Sequence, residues 1–277
     1  MTDAASGNPV RIAITGAASG LGREMALRWA RDGARVALAD VHAERLAIVA
    51  DEVAAAGGTP LRVTCDVRVT AQVDALVAEC VRAWGGLDIF VNNAGVAGGG
   101  TFEKITDEDW EWLLDINLLG VVRGARAAVP VFRRQGRGHL VNVASMAGLL
   151  APPAMSSYNV AKTGVVALSE TLHGELAPAG IRVTCVCPSF FRTNLMESLR
   201  TPDAAMRKSF DRLLDSSELS AADIADLVYR DVAAGKFLCL PHRRARMAWW
   251  TKRLWYGRYL AEMVKIGRSL ARRKEPR

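Results

Sequence analysis

Cysteine is scarce and unpaired in this sequence. Five residues (Cys65, Cys80, Cys185, Cys187 and Cys239) are scattered over 277 positions, and no C-x-x-C pair occurs. An odd, dispersed set argues against a disulfide framework and against a thiolate metal site. Cys185 and Cys187 stand two apart in a strand-like run, so they share a face and read as buried free thiols. The four histidines, His42, His139, His173 and His242, show no ligand spacing. No apolar run is long enough to span a bilayer, and residues 1–9 are polar, without the apolar core of a secretory signal. Internal repeats and low-complexity tracts are absent as well. The expectation is a cytoplasmic protein without a metal, at most peripheral to a membrane.

What is present suits a large α/β domain. Half of the residues are apolar, so a substantial core can form. The net charge of +7 conceals an asymmetry: residues 235–277 hold 13 Lys/Arg against 2 Asp/Glu, a net of +11, which leaves −4 on the other 234 residues. Short β-rich runs at 11–15, 35–40, 61–66, 87–92, 139–144 and 181–187 are nearly continuously apolar, as strands buried on both faces should be. Between them, 21–32, 43–56, 70–84, 107–134 and 157–179 read as helices, several closed by a glycine (Gly33, Gly57, Gly85, Gly136, Gly180). A helix at 221–234 and a last strand at 237–240 follow. This alternation predicts a parallel sheet with helices on both faces. Residues 189–220 lack strand character and are the natural candidate for a lid. The expected organisation is one domain over 1–242 and a basic helical extension over 243–277.

The first strand runs into Thr15-Gly16-Ala-Ala-Ser19-Gly20-Leu21-Gly22. Gly16 permits a tight turn, while Gly20 and Gly22 allow backbone, pyrophosphate and helix to approach closely. Free N–H groups and the helix dipole would then face an anion. Asp40 ends the second strand, where a carboxylate can accept hydrogen bonds from ribose hydroxyls and repel a 2′-phosphate. NAD is therefore favoured over NADP, although Arg23 could reach a phosphate; Asp40 could also cap the helix that begins near Ala43, and the two roles can coexist. Asp66-Val67 and Asn92-Asn93-Ala94-Gly95 end the third and fourth strands, where open α/β sheets bind ligands. Turn chemistry alone would also explain Asn-Ala-Gly.

Tyr158 and Lys162 form an i,i+4 pair if 157–179 is helical, with Ser145 thirteen residues upstream of Tyr158. An ammonium beside a phenol favours the phenolate, so the tyrosine pKa is expected to fall. Such a tyrosine can exchange a proton with an alcohol or ketone, while Ser145 holds the reacting oxygen.

Taken together, Thr15-Gly16-x-x-x-Gly20-x-Gly22, Asp66, Asn92-Asn93-Ala94-Gly95, Asn117, Ser145, Tyr158-x-x-x-Lys162 and Pro188…Thr193 resemble the classical short-chain dehydrogenase/reductase family over residues 10–240. The resemblance implies a Rossmann-like, doubly wound seven-stranded sheet and a homodimer or homotetramer. It also implies a catalytic tetrad of Asn117, Ser145, Tyr158 and Lys162. Tyr158 would be the general acid/base, and Lys162 would bind the nicotinamide ribose and lower the Tyr158 pKa. Asn117 would hold a relay water. The same resemblance adds Ser19, Leu21, Val67, Asn93, Ala94, Gly95, Pro188, Phe191 and Thr193 to the cofactor contacts. One departure stands out: the family's usual Pro-Gly is replaced by Pro188-Ser189, followed by Phe190 and Phe191. Those two rings read equally as lid packing or as substrate contacts.

The leading expectation is hydride transfer between NAD(H) and a fairly apolar secondary alcohol or ketone. Met146, Leu149, Leu150, Met155, Phe190 and Phe191 give the pocket its character. Two alternatives are an NADPH-dependent 3-oxoacyl thioester reductase whose basic tail meets an acidic carrier, and a dinucleotide-binding regulator without turnover. In the tail, Trp255, Tyr256, Tyr259, Leu260, Met263, Val264, Ile266 and Leu270 share one helical face. Residues 247–254 put their apolar side elsewhere, which predicts a break near Leu254. The apolar face could pack on the body or another subunit, or lie on an anionic membrane surface. Nucleic-acid binding has only charge in its favour and is not expected.

Overall fold

The computed structural model describes residues 8–202, 207, 214 and 217–272. The extreme N-terminus, much of the expected lid (203–206, 208–213, 215–216) and 273–277 lie outside the described residues. The chain alternates β1 (Arg11–Thr15), α1 (Gly20–Ala30), β2 (Arg35–Asp40), α2 (Ala43–Ala55), β3 (Thr59–Thr64), α3 (Thr70–Trp84) and β4 (Ile89–Asn92). It continues through α4 (Asp107–Leu114), α5 (Gly120–Gln135), β5 (Gly138–Val143), α6 (Met146–Leu150), α7 (Ser156–Leu176), β6 (Ile181–Val186), α8 (Ala221–Ala233) and β7 (Leu238–Cys239). Two further helices, α9 (Arg243–Leu254) and α10 (Tyr256–Arg272), end the described chain.

The seven strands form one sheet, ordered β3-β2-β1-β4-β5-β6-β7, and every pairing is parallel. Side chains alternate across it. Ile12, Ile14, Val36 and Leu38 pack under α1, α2 and α8, around Met25, Trp29, Val49 and Val228. Ala13, Ala37, Phe90 and Leu140 face the other layer, where α3 and α5 supply Leu76, Cys80, Ala128 and Phe132. Gly33, Gly57, Gly85, Gly136 and Gly180 all adopt the left-handed conformation that ends a helix. The strand order reverses between β1 and β4, and that switch point opens a crevice at the carboxyl ends of the strands.

The structure corrects the sequence reading in two places. Strand β3 begins at Thr59 rather than Leu61 and is not buried on both faces; each of its residues is exposed or half-buried. It is the sheet edge, which is also why Pro60 is tolerated there. The single helix expected over 107–134 is interrupted by a wide π turn, Asp115–Leu119, that carries Asn117. All five cysteines are buried free thiols, with the Sγ atoms of Cys185 and Cys187 3.8 Å apart.

Candidate active site

Two strand ends frame the crevice, and their side chains tie them together. Thr15 Oγ1 donates to Val91 O and accepts from the N–H groups of Asn93 (3.0 Å) and Ala94 (3.1 Å). Asn93 Nδ2 returns a bond to Thr15 O at 2.9 Å. The glycine turn is therefore held against the β4 end. Gly16 and Gly20 sit at φ +66° and +52°, where only glycine is comfortable. A Cβ on Gly22 would overlap Gly16 O, so Gly22 lets α1 start directly behind the turn. Ser19, the N-cap of α1, makes no side-chain cap, which leaves first-turn N–H groups for an anion.

The turn opens into an elongated cavity of about 960 Å³ that runs along the strand ends. Gly16, Ser19, Gly20, Leu21, Asp40, Asp66, Val67, Asn93, Ala94, Gly95, Tyr158, Lys162, Pro188, Phe191 and Thr193 all line it. Gly22 does not; its part is the close packing just described. Asp40 Oδ2 accepts from Ala18 N and Oδ1 from His42 N, both at 3.1 Å, so the carboxylate both braces the turn and faces the cavity. Arg23, which could have served a phosphate, is instead clamped on Glu52 at 2.7 and 2.8 Å. Asp66 is engaged by Arg68, whose hydrogen bonds hold its pKa below the usual carboxylate value. The donor set fits a dinucleotide: a glycine cradle with an uncapped helix start at the centre, and a carboxylate at one end.

Ser145, Tyr158 and Lys162, the residues expected to handle the proton, line the same cavity. Ser145 is the N-cap of α6; its Oγ accepts from Ala147 N at 3.1 Å and donates to Pro188 O at 3.4 Å, and it lies close enough to the Tyr158 phenol to lower its pKa. Gly148 makes this juxtaposition possible, because a Cβ there would lie 2.5 Å from Lys162 O on α7. Lys162 lies one turn beyond Tyr158, with Nζ 5.8 Å from the ring centroid and donating to Val143 O at 2.9 Å. The expected fall in the Tyr158 pKa is not what this geometry gives. Burial pushes the phenol up to about 12, against a smaller lowering by Ser145. Burial also lowers the Lys162 ammonium to about 8. Each charged form loses more hydration than its neighbour returns.

Asn117 is fully buried, as expected for a partnered amide, but its side chain is already committed. Oδ1 accepts from Val96 N at 2.8 Å and Nδ2 donates to Val96 O at 2.9 Å. In this structure it pins the loop after β4 beside Gly95, and no direct hydrogen bond joins it to Lys162. Behind the site runs a buried polar chain: Asn92 Nδ2 donates to Asn142 Oδ1 (2.9 Å), Asn142 Nδ2 to Ser169 Oγ (3.0 Å), and Ser169 Oγ to Val165 O (2.7 Å). It ties β4 and β5 to α7, the helix that carries Tyr158.

A family model described as short chain dehydrogenase matches residues 11–204, which span the turn, the tetrad and Thr193. The chain belongs to the classical short-chain dehydrogenase/reductase family. It is 37% identical over 190 residues, 69% of this chain and 76% of the relative, to the BbsD subunit of a hydroxy(phenyl)methylsuccinyl-CoA dehydrogenase of Thauera aromatica. It is 33% identical over 200 residues, 72% and 80% of the two chains, to the 3-oxoacyl acyl-carrier-protein reductase FabG of Thermotoga maritima. A short-chain dehydrogenase/reductase from Burkholderia phymatum, solved in complex with NAD, superposes with a TM-score of 0.84 at 35% identity, covering 88% of this chain and 93% of that one.

Within this short-chain dehydrogenase/reductase, several site residues had no motif to mark them. His242 Nδ1 accepts from Ser189 N at 3.1 Å and so holds the turn where the family's glycine is missing. Of the expected pocket residues, Met146, Leu150, Met155, Phe190 and Phe191 line the cavity and Leu149 does not. Leu149 O instead receives Lys252 Nζ from α9 at 2.7 Å. Glu262, Met263 and Ile266 of α10 complete the cavity wall. Their signal was the amphipathic period of the tail, which put Met263 and Ile266 on one face without saying what that face covers.

Proposed function

We propose that the protein transfers hydride between NAD(H) and a fairly apolar secondary alcohol or ketone, with Tyr158 as the acid/base. The observation that carries this reading is a single cavity with Asp40 at one end and Ser145, Tyr158 and Lys162 at the other. A bound nicotinamide would supply the hydride acceptor or donor. Ser145 orients the substrate oxygen, and Tyr158 Oη exchanges the proton with it. With its pKa at about 12, Tyr158 holds its proton at neutral pH and is ready to act as the acid in ketone reduction. As a base it needs additional positive charge nearby, and Lys162 is the protein's own source. Val96, Met146, Met155, Phe190 and Phe191 exclude water from that end.

Asp40 supports NAD over NADP, because a 2′-phosphate would meet a carboxylate already fixed by two backbone N–H groups. The relatives named for CoA and acyl-carrier substrates favour a second reading, a hydroxyacyl or oxoacyl thioester as substrate. The test is turnover with NAD⁺ and NADP⁺ over secondary alcohols of graded chain length, with 3-hydroxyacyl-CoA as a separate arm. NAD⁺-dependent rates that rise with chain length are expected. Equal or faster turnover with NADP⁺ would overturn the cofactor assignment, and activity confined to the thioester would select the second reading. Light scattering on the same preparation tests the expected homodimer or homotetramer.

A further inference from the structure

Among the described residues, the apolar arc of α10 is wider than the face that is covered. Tyr259 is buried and Met263 and Ile266 reach the cavity, so one side of the helix packs on the body. The adjoining side does not. Tyr256, Leu260 and Val264, at i,i+4 spacing, are 57%, 44% and 52% exposed. The turn before them adds Leu254 and Trp255, 61% and 60% exposed, and α9 adds Met247 and Trp250. Isolated exposed apolar side chains are ordinary, but a contiguous set with three aromatics is not.

The charge around this patch is of one sign. Residues 243–272 hold nine Lys/Arg and a single acid, Glu262, which pairs with Lys265 at 3.1 Å. On the wheel, Arg258, Lys265 and Arg268 lie beyond Val264 and opposite the buried side. A second copy of the chain docked here about a two-fold axis would bring two strongly basic hairpins together, which like-charge repulsion opposes. A nucleic acid would satisfy the charge but leave Leu260 and Val264 in water. An anionic lipid surface satisfies both, taking aromatic and aliphatic side chains at the headgroup level with basic residues beside them.

We propose that α9 and α10 seat the enzyme on an anionic membrane surface through Trp255, Tyr256, Leu260 and Val264, with Arg253, Arg258, Lys265 and Arg268 on the lipid headgroups. The other side of α10 forms the cavity wall, so the membrane contact and the substrate end share one helix. This goes beyond the proposed oxidoreductase reading and does not depend on it.

The test is sedimentation of the full chain with vesicles of phosphatidylcholine alone or mixed with phosphatidylglycerol. Binding to the mixed vesicles that weakens as salt is raised is expected. Leu260→Glu with Val264→Glu should lower the bound fraction by about ten-fold or more, with unchanged molar mass and unchanged turnover of a soluble alcohol. Trp255→Ser, at a largely exposed position between the helices, gives a second and milder variant with the same expected direction. Failure to sediment with the mixed vesicles would overturn the proposal. So would equal binding by both variants, or a fall in molar mass of the double variant without vesicles, which would assign the face to a subunit contact.

Discussion

Gly124 and Gly174 offer the same substitution with opposite expected outcomes. Both are helical, in α5 and α7. Alanine is the better helix former by about 1 kcal/mol, so propensity alone predicts that Gly124→Ala stabilises. The packing says otherwise. A Cβ on Gly124 would overlap Asn92 Oδ1 and lie 2.7 Å from Phe90 Cε1. Both neighbours are buried, at 3% and 0% exposure. If Asn92 turns away, Asn142 Oδ1 loses its 2.9 Å donor inside the protein, which costs about 1–3 kcal/mol. Crowding against Phe90 adds about 1–3 kcal/mol. After the helix gain of about 1 kcal/mol is subtracted, a loss of roughly 1–5 kcal/mol remains. At Gly174 a Cβ would meet nothing within 4 Å, so Gly174→Ala should gain up to about 1 kcal/mol. Urea denaturation of both variants, fitted with a common slope, measures the two signs. A Gly124→Ala protein as stable as the parent would refute the claim that the Asn92–Asn142–Ser169 chain is rigid and needed.

Tyr158→Phe should lower turnover by about 10²–10⁴-fold with the fold intact by circular dichroism; retention of more than about a tenth of the rate would remove Tyr158 from the acid/base role. His139, buried against Thr184, has its pKa held down to about 4 by burial and then by the Arg182 charge. Unfolded, it titrates near 6.5, so the unfolded state binds more protons between those values and stability falls as pH drops through that window. The loss is on the order of 3 kcal/mol. His139→Gln should flatten that dependence, and parallel pH curves for the two proteins would count against it. His242→Ala should raise the KM for the nicotinamide cofactor about five-fold with kcat little changed, because one half-buried hydrogen bond to the Ser189 turn is lost. His242→Asn, which retains an acceptor, should recover most of that loss; a variant without any KM change would show that Ser189 holds its own position.

The parts of this fold that could be read from the sequence are those fixed by local chemistry. The glycine turn, the strand exits at Asp40 and Asn93, and the Tyr158–Lys162 pair are short-range patterns, and all three meet at one cavity. Burial was harder to read. Strand β3 looks as apolar as its neighbours, and only its place at the sheet edge exposes it. The π turn at Asn117 follows from a long-range pairing with Val96 that no helical periodicity announces. The Tyr158 pKa was misjudged for the same reason. Proximity to Lys162 is visible in the spacing, but the dehydration of both groups is a property of the packed interior. His242 lies 53 positions from Ser189, and nothing local links them.

Helix α6 is only five residues long, too short to hold itself together in water. It is gripped at both ends: Ser145 caps its start, and Lys252 from the C-terminal hairpin bonds the Leu149 carbonyl near its finish. The aim of Ser145, the serine proposed to orient the substrate, is therefore set partly by a segment more than a hundred positions downstream. For anyone handling this enzyme, a tag or fusion grafted onto the hairpin pulls on that grip, whereas one placed ahead of β1 leaves it untouched. A slower turnover for the hairpin fusion than for the N-terminal one is the expected result of that linkage.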